Sequence, residues 1–200
     1  MSLFRKIFGS KLKGSQKPSE ERGKYMPEVK IPVDERFTIN FKANGGKFIY
    51  CENVDEVFYS LDQILIENNW KDAKALVFNN KIKDLFKNCE IAFTKKSSES
   101  DFFLSTCENL IADDGSLLIS SNQIAEKKLQ DLPQNVVIYA TTSQIVENIG
   151  EGLRIIKNKN KSKIPTNITT IKHFKNKDDK DFLSYGSSTK NLYLLLLEDL

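Results

Sequence analysis

Short apolar runs of strand length recur along the chain and alternate with helical patterns, and this alternation constrains the fold more than any other feature. Nearly every position in these runs is apolar, which is typical of strands buried on both faces of a sheet. The runs are KFIYC, ALVFN, CEIAFT, NVVIYA and NLYLLLL. The sequence therefore predicts an α/β fold with a mixed, mostly parallel sheet and helices on both faces.

Helix signals fill the gaps between the first runs. Glu35–Gly46 predicts a short helix that ends at its two glycines. Asn53, with Glu56 three residues later, has the pattern of a capping box that starts the next helix. Apolar residues then follow at helical spacing and predict a buried face, formed by Val54, Val57, Phe58, Leu61, Ile64 and Leu65.

Three later segments carry weaker signals. Ser97–Cys107 is predicted to be a helix that runs into a loop, and Gln123–Gln130 a helix. A longer helix is predicted to start at Thr142 or Ser143. Its inward face would comprise Ile145, Val146, Ile149, Leu153 and Ile156.

The stretch ENLIADDGSLLISSN, at Glu108–Asn122, has two apolar runs around an acidic break. Asp114-Gly115 is a residue pair that tolerates the positive φ angles of a type I′ turn, so a hairpin inside the sheet is predicted. The adjacent carboxylates of Asp113 and Asp114 raise the alternative of acid–base or metal chemistry. Acidic residues are common in turns, so the purely structural interpretation is favoured.

The first 34 residues differ from the rest and are interpreted as a flexible basic arm, followed by one α/β domain at residues 35–200. MSLFRKIFGSKLKG has Leu3, Phe4, Ile7 and Phe8 on one helical face, and its charged residues are all basic. Such a segment can touch an anionic membrane or a partner. A mobile or domain-docked arm is the favoured interpretation.

Composition excludes several classes of protein. The three cysteines form no CxxC pair and His173 is the only histidine, so neither a metal site nor a cofactor is predicted within this chain. The single histidine also limits any Ser-His-Asp or Cys-His scheme, and a surface or packing role is favoured for it. No run of about eighteen apolar residues occurs, so no membrane span is expected and the predicted location is the cytoplasm.

The charge pattern does not favour nucleic acid. The formal net charge is +3, which is too small to indicate nucleic acid by itself. The most basic region, Arg154–Lys177, contains Phe174 as its only aromatic residue, so base stacking is not supported.

The stretch IADDGSLLISS resembles a motif of the LUD-domain family, to which lactate-utilisation protein C belongs. Ile111, Ala112, Gly115 and Ser116 match the family's Ile-Ala-Glu-Thr-Gly-Ser/Thr pattern, with Asp113 and Asp114 in place of its glutamate and threonine. Further similar segments follow the family's order from about Phe37 to the C-terminus. They are GGKFIYCENVDEVFYSL, Leu132-Pro133 with NVVIYATTSQIVENI, and GSSTKNLYLLLLED.

The resemblance implies a fold like that of ribose phosphate isomerases and CoA transferases. It also implies a role in oxidising lactate to pyruvate, beside partner subunits that carry iron–sulfur clusters. On this reading the chain itself is cluster-free and the cofactor belongs to a partner.

The resemblance weakens near residue 180. The family has Gly-Pro-Ser-Arg/Lys-Thr-Ala-Asp-Ile and then Gly-Val-His-Gly-Pro, whereas this chain has IKHFKNKDDKDF and then YGSSTK. By spacing, Lys175 and Asp178 take the family's basic and acidic positions, and Gly186 its later glycine. The chain is thus identified as a divergent member of the family.

Ligand-binding candidates fall in two segments and two single positions. The segments are the turn Asp113, Asp114, Gly115 and Ser116, and the loop Gly186, Ser187, Ser188 and Lys190, whose backbone amides could bind an anion. Lys175 and Asp178 complete the set. No residue is assigned a catalytic step.

Three functions therefore remain open. The first is an accessory subunit of a lactate oxidation system. The second is an enzyme acting on a small anionic, acyl or phosphorylated metabolite, and the third is a degenerate binding or assembly module without catalysis. Whether the chain is an enzyme is left undecided by the sequence.

Overall fold

A computed structural model describes residues 31–70, 72–174 and 190–199. Ten strands lie in these ranges. They are β1 (Lys47–Cys51), β2 (Lys74–Leu76), β3 (Ala92–Thr94), β4 (Phe102–Thr106), β5 (Asn109–Ile111), β6 (Ser116–Ile119), β7 (Asn135–Thr141), β8 (Ile145–Val146), β9 (Thr169–Ile171) and β10 (Asn191–Leu197).

Five α-helices lie in the same ranges. They are α1 (Val33–Ala43), α2 (Val54–Glu67), α3 (Asn80–Leu85), α4 (Ser121–Ile124) and α5 (Ile149–Lys159). Single 3-10 turns lie at Ser97–Glu99, Leu129–Asp131 and Thr142–Gln144. No helix in the described ranges is both long and apolar enough to cross a membrane.

The strands form two sheets. Six of them make a parallel sheet in the order β1-β10-β7-β4-β2-β3. The other four make a smaller sheet in the order β8-β5-β6-β9, in which β6 runs antiparallel to both neighbours. The predicted fold class, an α/β fold with a mostly parallel sheet flanked by helices, is confirmed. The hairpin β5–β6 belongs to the smaller sheet instead of lying inside the main one.

The continuous apolar run NLYLLLL is explained by the position of β10 between β1 and β7. Successive side chains on a strand point to opposite faces. Leu192, Leu194 and Leu196 enter one core, and Tyr193, Leu195 and Leu197 enter the other. Because both faces are covered, the six residues Leu192–Leu197 are all buried, and only Asn191 at the start of the strand is polar.

Layers of helix and sheet cover the two faces. On the Tyr193 face, α2 and α3 bury Val57, Leu61 and Ile82. On the opposite face lie α1, through Phe37 and Phe41, and the smaller sheet. The outer side of the smaller sheet is covered by α5, where Ile156 packs against Ile111, Leu118 and Val146.

The predicted signals at the start of the domain are confirmed. α1 ends at Ala43, and the chain turns through Gly45, whose φ is +85°. Asn53 caps α2, since its side chain accepts a hydrogen bond from the Glu56 amide at 2.9 Å. Four members of the predicted stripe are buried, whereas Val54 remains 37% exposed.

The prediction for Ser97–Cys107 is wrong. Its helical part is only a 3-10 turn, and Phe102–Thr106 forms β4, which pairs with β2 and β7 inside the main sheet. Phe102 and Leu104 enter one core and Phe103 enters the other. Burial of both strand faces by segments distant in sequence decided the outcome.

Two helix predictions also need correction. The helix expected from Thr142 or Ser143 begins only at Ile149, because β8 pairs with β5 first and Asn148 supplies the cap. Leu153 is 41% exposed, and Ile156 is the buried apolar contact of α5. Of Gln123–Gln130, only the first two residues are in α4, which stops at Ala125 with φ +52°.

Candidate functional site

The turn of the β5–β6 hairpin carries the largest group of predicted site residues. Ile111 pairs with Ser116, so Ala112–Gly115 forms a four-residue connection. Within it only Gly115 has a positive φ, +66°. A type I′ turn needs positive φ at both central residues, so this connection is not a type I′ turn, whereas the predicted hairpin is present.

Helix α1 holds this turn from the side. The Asn40 side chain donates to the carbonyl oxygens of Ala112, at 2.8 Å, and Asp113, at 3.2 Å. Asn44 donates to the carbonyl oxygen of Asp114 at 2.6 Å. Gly115 lies so close to α1 that an added Cβ would come within 2.3 Å of the Phe41 amide nitrogen. The turn is therefore part of a packed interface.

Both turn carboxylates have partners within the domain. Oδ1 of Asp114 accepts hydrogen bonds from the Ser116 amide at 3.0 Å and from its hydroxyl at 2.6 Å. Oδ2 of Asp114 lies 3.5 Å from Nζ of Lys172. Asp113 lies 3.3 Å from Nη2 of Arg36, which also lies 3.4 Å from the Glu147 carboxylate. These contacts fasten the turn to α1 and to the chain after β9.

Lys190 is the member of the second candidate segment that lies within the described residues. Its ammonium is buried and donates to the carbonyl oxygen of Leu132 at 2.9 Å. Burial lowers the pKa of Lys190, and the nearby Asp131 carboxylate acts in the opposite direction. The other candidates, Lys175, Asp178, Gly186, Ser187 and Ser188, lie outside the described residues, as do residues 1–30 of the basic arm.

Phe174, the last described residue before residues 175–189, packs against the end of α1. The Phe174 amide donates to the carbonyl oxygen of Asn44 at 3.1 Å, and the Phe174 ring is 5.0 Å from the Phe41 ring. Phe174 also forms a parallel bridge with Lys190. The end of α1 therefore contacts both the turn, through Asn44, and Phe174, which pairs with Lys190 of the second candidate segment.

A second polar cluster, missed in the sequence, lies at the carboxyl edge of the main sheet. Oδ1 of Asp199, just after β10, accepts hydrogen bonds from the Ser143 amide and the Thr142 hydroxyl, each at 2.9 Å. Its Oδ2 accepts from the Ser143 hydroxyl at 2.6 Å. Partial burial raises the pKa of Asp199, but these hydrogen bonds outweigh it and the net pKa is lowered.

This cluster shows that the carboxyl edge of the main sheet can bind a carboxylate. Two hydroxyls and one backbone amide at the end of β7 hold a carboxylate, which here is supplied by the chain itself. In open parallel sheets, ligands bind beyond the carboxyl ends of the strands. A sequence signal for this cluster does exist, because polar residues directly follow two strand-like runs. These residues are TTS after NVVIYA and ED after the leucines.

The cysteines lie on separate elements. Cys51 and Cys107 are buried, and Cys89 is half-buried. Burial raises the pKa of all three thiols, most strongly that of Cys107. Within residues 31–70, 72–174 and 190–199, no group of three His, Cys, Asp or Glu side chains is arranged to hold a metal ion.

The exposure of the thiols predicts their order of reaction. In the native protein near pH 8, an aromatic disulfide reagent should react with Cys89 first, because the thiolate is the nucleophile and Cys89 is the accessible thiol. Cys51 and Cys107 should react only as the domain unfolds. Replacement of Cys89 by serine should remove the fast phase and leave the slow one. A fast phase that survives this replacement would contradict the prediction.

Comparisons with known proteins add a family and a fold. The model of the LUD domain family matches residues 35–197. Among solved structures, a DUF162 family protein from Deinococcus radiodurans is similar, with 12% sequence identity and a TM-score of 0.57. The alignment covers 84% of this chain and 96% of that one. No curated protein matches the sequence at a significant level.

Proposed function

The chain belongs to the LUD domain family, and on that basis we propose that it is an accessory subunit of an iron–sulfur-dependent lactate oxidation system. The observation that carries the proposal is the family match, which spans nearly all of the described domain. The family is often linked to lactate utilisation. In this role the chain carries no cluster of its own and works beside a partner that does.

The positions of the cysteines support the proposal that the cluster lies in a partner subunit. Iron–sulfur clusters are held by cysteine thiolates. Cys51, Cys89 and Cys107 lie on separate elements, and within the described ranges no group of three His, Cys, Asp or Glu side chains is arranged to hold a metal ion. This arrangement supports the proposal that the partner carries the cluster and its thiolate ligands.

A second function, an assembly module without catalysis, is favoured by the contacts of the turn. Asp113 is paired with Arg36, and Asp114 is held by Ser116 and Lys172. Groups engaged in this way stabilise a surface, and an acid–base role would require breaking those contacts. A binding module of this kind would still associate with partner subunits, but no electron-transfer partner would be required.

The proposal is tested by capture of the tagged full-length protein from an anaerobic native extract, followed by assays of iron and acid-labile sulfide in the proteins that co-purify. A stoichiometric partner containing iron and acid-labile sulfide is the expected result. Tag alone, under the same conditions, is the control. A stoichiometric partner without iron would favour the assembly module, and a protein recovered alone and colourless would contradict both functions.

A further inference from the structure

A cavity of about 810 Å³ lies beside the C-terminal half of α2, on the face of the main sheet opposite α1. Three carboxylates line it, those of Asp62, Asp72 and Glu90. All three residues are exposed, and in the described part of the chain none of them has an ion-pair partner. Among the lining residues that the structure describes there is no lysine or arginine, so the described walls favour a cationic occupant.

The same cavity also has an apolar wall. Phe58, Ile66 and Trp70 contribute to the lining, and Ile66 is 68% exposed although it lies on a helix with a well-buried face. The Trp70 ring is fixed against Phe102, with the ring centroids 4.9 Å apart and the planes 3° from parallel. An occupant that combines positive charge with bulky apolar side chains would fit both walls.

We propose that this cavity binds the basic segment at residues 1–14 of the same chain. That segment has Arg5, Lys6, Lys11 and Lys13 and no acidic residue, which complements the three carboxylates. Its apolar residues Leu3, Phe4, Ile7 and Phe8 have the spacing of one helical face. One amphipathic segment therefore offers an apolar face and a cationic face to a cavity that presents the complements of both.

The connection between the segment and the domain is long enough. Residues 15–30 lie between the basic segment and the first described residue, Ile31. At roughly 3.3 Å per residue, such a connection reaches about 50 Å. A domain of this size has a radius of gyration of about 15 Å, so the connection can pass around the edge of the sheet. Tethering raises the effective concentration of a weak ligand, which offsets the weak affinity of one short segment.

Trp70 reports on this docking directly, because it is the only tryptophan in the protein and lines the cavity. In the full-length protein, acrylamide should quench its fluorescence weakly. The double variant Phe4→Ser/Phe8→Ser should raise the quenching constant about twofold, since the loss of two buried aromatic contacts releases the segment. Circular dichroism of each variant should confirm that the fold is retained.

A matched pair of charge variants tests the electrostatic half of the proposal. Asp62→Asn removes a carboxylate from the cavity, and Asp84→Asn removes one from α3 outside it. Asp62→Asn should increase the acrylamide quenching of Trp70, and about 0.5 M salt should have the same effect on the unsubstituted protein. Asp84→Asn should leave the quenching of Trp70 unchanged. Equal effects of the two substitutions would overturn the proposal.

Trp70 quenching also distinguishes two alternatives, in which a second copy of the chain fills the cavity or the segment binds an anionic membrane. If a second copy of the chain filled the cavity, quenching would rise on dilution, and this would overturn docking within one chain. Vesicles of anionic phospholipid should compete for the segment and expose Trp70. Binding of the full-length protein to such vesicles with no change in Trp70 quenching would also contradict the proposal.

Discussion

Replacement of Gly115 by alanine is expected to destabilise the domain by about 3 kcal/mol or more, from two costs at one position. Gly115 has φ +66°, and a non-glycine residue in that region costs of order 1–3 kcal/mol. The new Cβ would also meet the backbone of α1, 2.3 Å from the Phe41 nitrogen and 2.4 Å from the Asn40 carbonyl carbon. Backbone cannot rotate away as a side chain can, so the turn and α1 must separate.

Urea unfolding, followed by circular dichroism, measures this loss as a lower free energy of unfolding. Gly150→Ala is the matched control, because Gly150 lies in α5 and its added Cβ would be 3.2 Å from the Asn148 side chain. Alanine favours helix by about 1 kcal/mol over glycine, so this control should change the free energy of unfolding by no more than that. A Gly115→Ala protein as stable as the control would refute the close approach.

Truncation of Phe41 to alanine is expected to cost about 3–5 kcal/mol of unfolding free energy, as for other buried phenylalanines. Phe41 is fully buried, with the Phe37 ring centroid at 5.4 Å and the Phe174 ring centroid at 5.0 Å. It joins α1 to the approach of the undescribed segment 175–189. The loss should therefore loosen the turn and that approach together.

Ile39→Ala provides the control on the same helix, since Ile39 is 49% exposed. That substitution should change the free energy of unfolding by less than about 0.5–1 kcal/mol. Thermal and urea unfolding of both variants give the comparison. Similar losses for Phe41→Ala and Ile39→Ala would mean that α1 does not pack on the main core as described.

Local sequence patterns were sufficient to predict much of the fold. The run NLYLLLL predicted a central strand because six successive apolar positions, Leu192–Leu197, leave no solvent-facing side, and β10 lies between two parallel neighbours. Asn53 and Glu56 predicted the start of α2 because capping depends only on residues three apart. The order of the short motifs from Phe37 onward also indicated the family, which the match over residues 35–197 confirms.

Less of the candidate site could be predicted from local sequence patterns. The sequence located the hairpin turn and its acidic residues, but not their partners, because Arg36, Asn40 and Lys172 come from distant parts of the chain. It did not indicate that Asp199 would meet Thr142 and Ser143, since 56 residues separate Asp199 from Ser143. The ligand-binding role of the turn remains a prediction.

Strands and helices with local signals could be predicted from the chain alone, because continuous apolar runs, an amphipathic stripe and a helix cap depend on neighbouring residues. Which polar groups meet, and that Phe102–Thr106 is a strand, depend on long-range packing. β4 exists because β2 and β7 supply its hydrogen bonds and two cores bury its faces. Gly115 is required because a helix from another part of the chain lies against it. Contacts between residues distant in sequence have no local signal, so they enter only when the chain folds.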